Sequence, residues 1–158
     1  MSESTNDSGS TKDSGSMNDT GSTSTSDSLK NRENSKFRIV LIDDEPSVLR
    51  ALSLLLQAIG YEATTFDHPS KAIEFFGTPE CPKHDLILCD LKMPVFDGIG
   101  VLEHRNKLCP DLPFVLMSAH ATSQDVEQAL KLGAVGFLGK PFTPEQVNEL
   151  ISDLKAAA

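Results

Sequence analysis

Five residues have types and positions that could do chemistry together. Asp43 and Asp44 follow one apolar run, Asp90 ends a second, Ser118 ends a third, and Lys140 follows a fourth. In LILCD (86–90) the apolar residues drive straight into the Asp90 carboxylate. Carboxylates brought close together are unfavourable unless something positive intervenes. As hard oxygen ligands they suit Mg²⁺, which is held by one or two carboxylates and keeps several waters. Lys140 would add a second positive charge and Ser118 a hydroxyl. Such a set would cradle a phosphoryl group on or near a carboxylate, where catalysis is mostly positioning and charge neutralisation. Each residue also has a plain reading: DDEP as a turn or helix cap, Asp90 as a solvated turn residue, Lys140 as a surface lysine. The signal lies in the set and its order along the chain.

The elements needed to position that set can be read as alternating strands and helices. FRIVLI (37–42) reads as a buried strand by its β-branched content. Pro46 opens a helix, with Val48, Leu49, Leu52, Leu55, Leu56 and Ile59 on one face and Gly60 as its stop. YEATTF (61–66) is predicted as a second strand, with a short helix near 70–76. LILCD (86–90) is the third strand, followed by a helix over about 98–107. PFVLMS (113–118) is the fourth. Thr122 with Asp125 three residues on resembles a capping box, and Gly133 ends that helix. VGFLG (135–139) is the fifth strand, and Thr143, Pro144 and Gln146 start a last helix carrying Val147, Leu150, Ile151 and Leu154. Five such units imply an α/β fold, a parallel sheet with helices on both faces. Sites in these sheets lie at the carboxyl ends of the strands, where strand order reverses, which is where Asp90 would sit.

The 158 residues suit one domain and 39% hydrophobic content suits a real core. A net charge of -9 argues against nucleic acid as a direct partner. No apolar stretch approaches the roughly 20 residues that span a bilayer, and no signal-peptide pattern opens the chain, so the expected setting is cytoplasmic with no membrane partner. Cys81, Cys89 and Cys109 are odd in number and show no CxxC spacing, which indicates neither a disulfide framework nor zinc. Residues 1–36 form a loose polar repeat, TNDSGS, TKDSGS, MNDTGS, TSTSDS, and are expected to be a disordered tail preceding a folded domain over 37–158.

VLIDDEP, LILCDLKMPVFDG, VLMSAH and GFLGKPF resemble the receiver domain of two-component response regulators, over about residues 37–155. The resemblance implies a flavodoxin-like, doubly wound five-stranded sheet in the order 2-1-3-4-5. It implies Asp90 as phosphoacceptor, Asp43 and Asp44 as the acidic pair for Mg²⁺, and the Lys92 backbone carbonyl as a further metal ligand. Ser118 would be the switch hydroxyl, Phe137 the switch aromatic, and Lys140 the lysine that neutralises the transferring oxygens. A cis bond before Pro141 fits the family pattern. A sensor histidine kinase or a phosphotransfer protein would supply the phosphoryl group, and the changed surface would address a downstream protein not identifiable from sequence. The domain would be a phosphoacceptor rather than an enzyme in the ordinary sense, with self-phosphorylation from phosphodonors and autodephosphorylation expected. Lys92 and His120, each two residues beyond a site residue, are expected to tune phosphoryl lifetime.

Rival readings fit less well. A P-loop needs Gly where Ala134 stands and Ser or Thr where Pro141 stands. An aspartate-nucleophile phosphatase wants a DxD arrangement after the first strand, where this chain has Asp43-Asp44-Glu45. A flavin-binding loop would be rich in Ser, Thr and Gly, not Asp. A degenerate receiver acting as a scaffold is an alternative, although every expected acceptor residue is present. The chain could be a stand-alone receiver or a piece of a longer regulator. His68, His84 and His104 show no metal-ligand spacing and are expected in surface or loop positions.

Overall fold

The computed structural model describes residues 36–157; the disordered-tail expectation falls outside them. The elements in chain order are β1 (Arg38–Ile42), α1 (Pro46–Ala58), β2 (Glu62–Phe66), α2 (Pro69–Phe76), β3 (Leu86–Asp90), α3 (Gly98–Leu108), β4 (Phe114–Ser118), α4 (Ser123–Lys131), β5 (Gly136–Gly139) and α5 (Pro144–Ala157). A single turn of 3₁₀ helix, Cys81–Lys83, precedes β3. The strands pair in parallel in the order β2-β1-β3-β4-β5. This is the doubly wound order expected from the sequence.

The apolar runs explain the layering. Alternate residues of a strand face opposite sides, and here both sides are covered. Val40, Ile42, Ile87, Cys89, Phe114 and Leu116 pack with Ala72 and Phe76 of α2, Val101 and Leu102 of α3 and Ala129 of α4. Ile39, Leu41, Leu86, Leu88, Val115 and Met117 pack with Leu49 and Leu56 of α1 and Val147 and Ile151 of α5. Each large side chain so buried contributes about 1.5–3 kcal/mol of transfer free energy. The two edge strands, β2 and β5, have the mixed burial of half-covered strands.

Strands β1, β2, β4 and β5 begin one residue later than their sequences suggested. Phe37 and Pro113 still lend carbonyls to the ladder, accepting from Glu62 and Ile87, but Pro113 has no N–H to give. The helix boundaries follow local chemistry. The Thr122–Asp125 capping box forms as expected. Thr143 and Gln146 make the same reciprocal pair at the start of α5. Gly60 and Gly133, at φ +101° and +105°, end α1 and α4 in the left-handed region that favours glycine. His84 corrects the surface expectation. It is buried, with one ring nitrogen 3.0 Å from Thr64 Oγ1 and the other 3.0 Å from the Glu80 carbonyl oxygen. Its side-chain partner Thr64 lies 20 residues away on β2, so no local pattern announced its burial.

Candidate phosphoryl site at the carboxyl edge of the sheet

Strands β1 and β3 are direct neighbours, so their carboxyl ends open side by side. Asp43 leaves β1 and Asp90 ends β3, with Asp44 beside them. The three carboxylates each place an oxygen within 4.8 Å of the others. Asp43 is 1% exposed and Asp90 8%. The Asp43 Oδ1 accepts from the Glu45 amide at 3.0 Å, which turns the DDE segment back over the strand end. Its Oδ2 accepts from Lys140 Nζ at 2.7 Å, and the same ammonium reaches Asp90 Oδ1 at 3.2 Å. The Lys140 amide bonds the Ser118 carbonyl oxygen at 2.9 Å. This ties the lysine to β4 as the chain leaves β5, and the Lys140–Pro141 bond is cis.

The electrostatics favour a ligand. Burial, then the Asp43 charge, pushes the Asp90 carboxyl above its ordinary range, and Lys140 only partly offsets them. Burial lowers Lys140, but the hydrogen bond and charge of Asp43, followed by those of Asp90, outweigh it and hold the ammonium above its ordinary value. One cation thus pairs with two carboxylates, and a third, Asp44, lies close to both. The oxygens, their spacing and their surplus negative charge fit a hard divalent cation such as Mg²⁺.

The remaining predicted residues fall around this centre. Ser118, buried at the end of β4, accepts at its hydroxyl oxygen from the His120 amide at 3.1 Å. Phe137 sits opposite Leu116 in the β4–β5 register and is partly buried. The Lys92 side chain lies 3.7 Å from Asp125 Oδ2. Gly98, where the helix over about 98–107 was expected to start, is packed tightly against the site. A Cβ there would lie 2.5 Å from Leu116 Cδ2 and 2.6 Å from the Asp90 carbonyl oxygen. Asp97 caps α3 by accepting from the Gly100 amide at 3.0 Å, and the Gly98 amide bonds the Leu91 carbonyl oxygen at 2.8 Å. The Asp-Gly pair therefore starts α3 directly against the backbone of Asp90. A glycine at the expected helix start was the available signal.

A family model described as the response regulator receiver domain matches residues 39–152. The chain belongs to the response regulator receiver family. Accepting a phosphoryl group is the function of that family, and receiver domains generally bind Mg²⁺ in an acidic pocket. Among curated relatives, the probable transcriptional regulator ycf27 of Porphyra purpurea is 34% identical over 119 residues, 75% of this chain and 47% of that protein. The chain spans about half the length of the curated ycf27 relatives it matches. Among solved structures, a receiver domain protein from Clostridium thermocellum is 28% identical with a TM-score of 0.70, covering 75% of this chain and 93% of that one. The chemotaxis protein CheY4 of Vibrio cholerae, at 24% identity and a TM-score of 0.67 over 76% of this chain and 99% of its own, shares the fold. Among the described residues of this receiver, no helix is long and apolar enough to cross a membrane.

Proposed function

We propose that Asp90 is the residue that takes the phosphoryl group. The observation that carries this reading is the buried carboxylate at the end of β3, 3.2 Å from an ammonium already shared with Asp43. A carboxylate oxygen of Asp90 attacks phosphorus in line. The phosphorus–nitrogen bond of a phosphohistidine breaks, and the imidazole leaves with the electron pair. Lys140 neutralises the transferring oxygens. Asp43, Asp44, Asp90 and the Lys92 carbonyl are the ligands for Mg²⁺, which when bound supplies further neutralisation of the phosphoryl oxygens.

Ser118 and Phe137 convert the new charge into a change of surface. The Ser118 hydroxyl turns to the phosphoryl oxygens, and Phe137, partly buried on the neighbouring strand, follows into the space released. Phosphorylation thereby biases a two-state element through differential contacts. The donor is a sensor histidine kinase or phosphotransfer protein, and an apolar groove of about 330 Å³ beside Lys140, lined by Val48, Leu52, Pro141 and Phe142, offers it a landing surface. The output is a protein partner addressed by the switched face. The name transcriptional regulator belongs to the longer relatives.

Incubation with acetyl phosphate and Mg²⁺ tests the reading. One phosphoryl mass increment per chain is expected, absent with a chelator and absent in Asp90→Asn. Equal labelling of the wild type and Asp90→Asn would remove Asp90 from the acceptor role.

A further inference from the structure

His84 stands just before β3, at the amino end of the sheet, and is 5% exposed. Its Nδ1 lies 3.0 Å from the Glu80 carbonyl oxygen. A carbonyl oxygen can only accept, so Nδ1 carries the ring proton. Its Nε2 lies 3.0 Å from Thr64 Oγ1 on β2 and accepts from that hydroxyl. The ring meets the Phe75 ring of α2 edge to face at 5.1 Å, and Phe75 meets Phe66 at 5.1 Å. Phe66 closes β2, and its carbonyl oxygen accepts from the Asp43 amide at 3.2 Å. A continuous run of contacts thus leads from a buried imidazole to the acidic cluster. β2 is an edge strand with β1 alone beside it, so a partner lost at Thr64 is not replaced by another strand.

The neutral ring fits this place and the charged ring does not. Protonation makes Nε2 a second donor, forces the Thr64 hydroxyl to turn, and leaves a cation away from water. Burial is the main cause that holds the imidazole below its ordinary value. The Glu80 carbonyl opposes it, Arg38 of β1 adds to it, and the Asp85 and Glu80 carboxylates oppose it. Arg38 is itself 3.8 Å from Glu62 of β2, and Glu80 is paired with Lys83 at 3.0 Å. Thr64 and Phe75, the contacts from β2 and α2, carry no charge. Acid therefore favours displacement of the ring. The stability it lends is full above the ordinary histidine value of about 6.5 and is lost as pH falls below that toward the folded value.

We propose that His84 is a proton-sensitive strut that sets how firmly the acidic cluster holds a divalent cation. Its two states are the ring seated between Thr64, Glu80 and Phe75, and the ring displaced. Displacement frees Phe75 and the middle of β2, and through Phe66 it slackens the bond that anchors the Asp43 backbone. The proposal rests on Asp43, Asp44 and Asp90 as Mg²⁺ ligands and adds the proton as a regulator acting from the far end of the sheet. The effect is reciprocal: bound Mg²⁺ favours the seated, neutral ring.

The test is an NMR titration of the His84 ring in the full chain from about pH 8 to 5, with chelator and with saturating Mg²⁺. His84 is expected to titrate below the ordinary histidine value, and Mg²⁺ to lower its midpoint by about half a pH unit more. That shift corresponds to Mg²⁺ binding about threefold weaker when the ring is protonated. It should persist at about 0.5 M salt, where direct attraction across the sheet is screened, and shrink to less than half in Phe75→Leu, which breaks the contact with Phe66. Calorimetric Mg²⁺ affinities over the same range give the second readout. Wild type and His84→Gln both lose affinity as Asp90 takes up its proton, and the wild type alone shows the extra threefold loss. A His84 midpoint indifferent to Mg²⁺, or a ring that does not titrate before the protein unfolds, overturns the proposal even if His84→Gln fails to fold. So do matching affinity profiles for wild type and His84→Gln. Absence of Mg²⁺ binding at pH 7.5 would instead bring down the metal-site reading, and the proposal with it.

Discussion

At the amino ends of the strands a cation is buried among neutral carbonyls. At the carboxyl ends carboxylates are buried around a cation. Arg105, on α3 and 6% exposed, donates from Nη1 to the carbonyl oxygens of Pro110 and Leu112 and from Nη2 to that of Gly133. Its guanidinium lies 5.9 Å from the Phe114 ring centroid. Its two Nη groups meet acceptors already fixed by the loops leading into β4 and β5, which ties those loops together, while Nε is buried without a partner. The Asp43–Asp44–Asp90 cluster has the opposite balance. One lysine pairs with two of the three carboxylates, and Asp90 is pushed toward its protonated form. Buried polar groups by themselves do not mark a function. Uncompensated charge at the open end of a sheet does, because a ligand can complete it.

Removing the cation from each end separates the two cases most sharply. Lys140→Met leaves Asp43 buried without its ammonium and should cost about 3–5 kcal/mol. Millimolar Mg²⁺ should restore part of that, since a metal supplies the missing positive charge. Arg105→Met strands several backbone carbonyls and should cost about 2–4 kcal/mol, with no recovery in Mg²⁺. Thermal or urea unfolding of both variants, with Mg²⁺ and with chelator, measures this. The same response to Mg²⁺ at both ends would erase the distinction.

A smaller effect is expected at the wall of the site. Gly98→Ala forces a methyl against Leu116 and the Asp90 carbonyl oxygen and should destabilise by about 1–3 kcal/mol. Gly100→Ala, two residues on, meets nothing closer than 3.4 Å and is the matched control. Equal stability of the two alanine variants would show that α3 can retreat from Asp90.

The smallest expected effect has the opposite sign. Because burial and Asp43 raise the Asp90 pKa, the folded protein holds that proton more tightly than the unfolded chain. Stability associated with it is present at acid pH and is lost as pH rises through the folded value. Ionised Asp90 is therefore a burden at neutral pH, and Asp90→Asn should gain about 1 kcal/mol there in the absence of metal. The gain should fade as the pH drops toward the carboxylate range, where the wild type is protonated as well. A variant less stable than the wild type at pH 7, or a gain independent of pH, would contradict this charge balance.

Much of this was legible in sequence because local signals and tertiary demands coincide. The unbroken apolar runs of β3 and β4 are buried at every position, so their pattern could only be that of central strands. Asp90 and Ser118 stood out because a polar residue closing such a run must lie at the sheet edge. Arg105 and His84 were not legible, since their partners lie across the fold: Gly133 is 28 residues from Arg105 and Thr64 is 20 from His84. Gly98 was legible as a helix start but not as a close contact, because the clashing atoms belong to β3 and β4. The pairing of Lys92 with Asp125 was equally hidden, since Asp125 belongs to the capping box of another helix.

The most direct measurement is chemical localisation of the phosphoryl group. Protein loaded from acetyl phosphate in Mg²⁺ is treated with borohydride, which reduces an aspartyl phosphate to homoserine, and the peptides are sequenced by mass spectrometry. The account predicts homoserine at position 90, with Asp43, Asp44 and Asp97 unmodified and no homoserine when Mg²⁺ is withheld. Reduction at any of those other carboxylates while position 90 remains aspartate would contradict it.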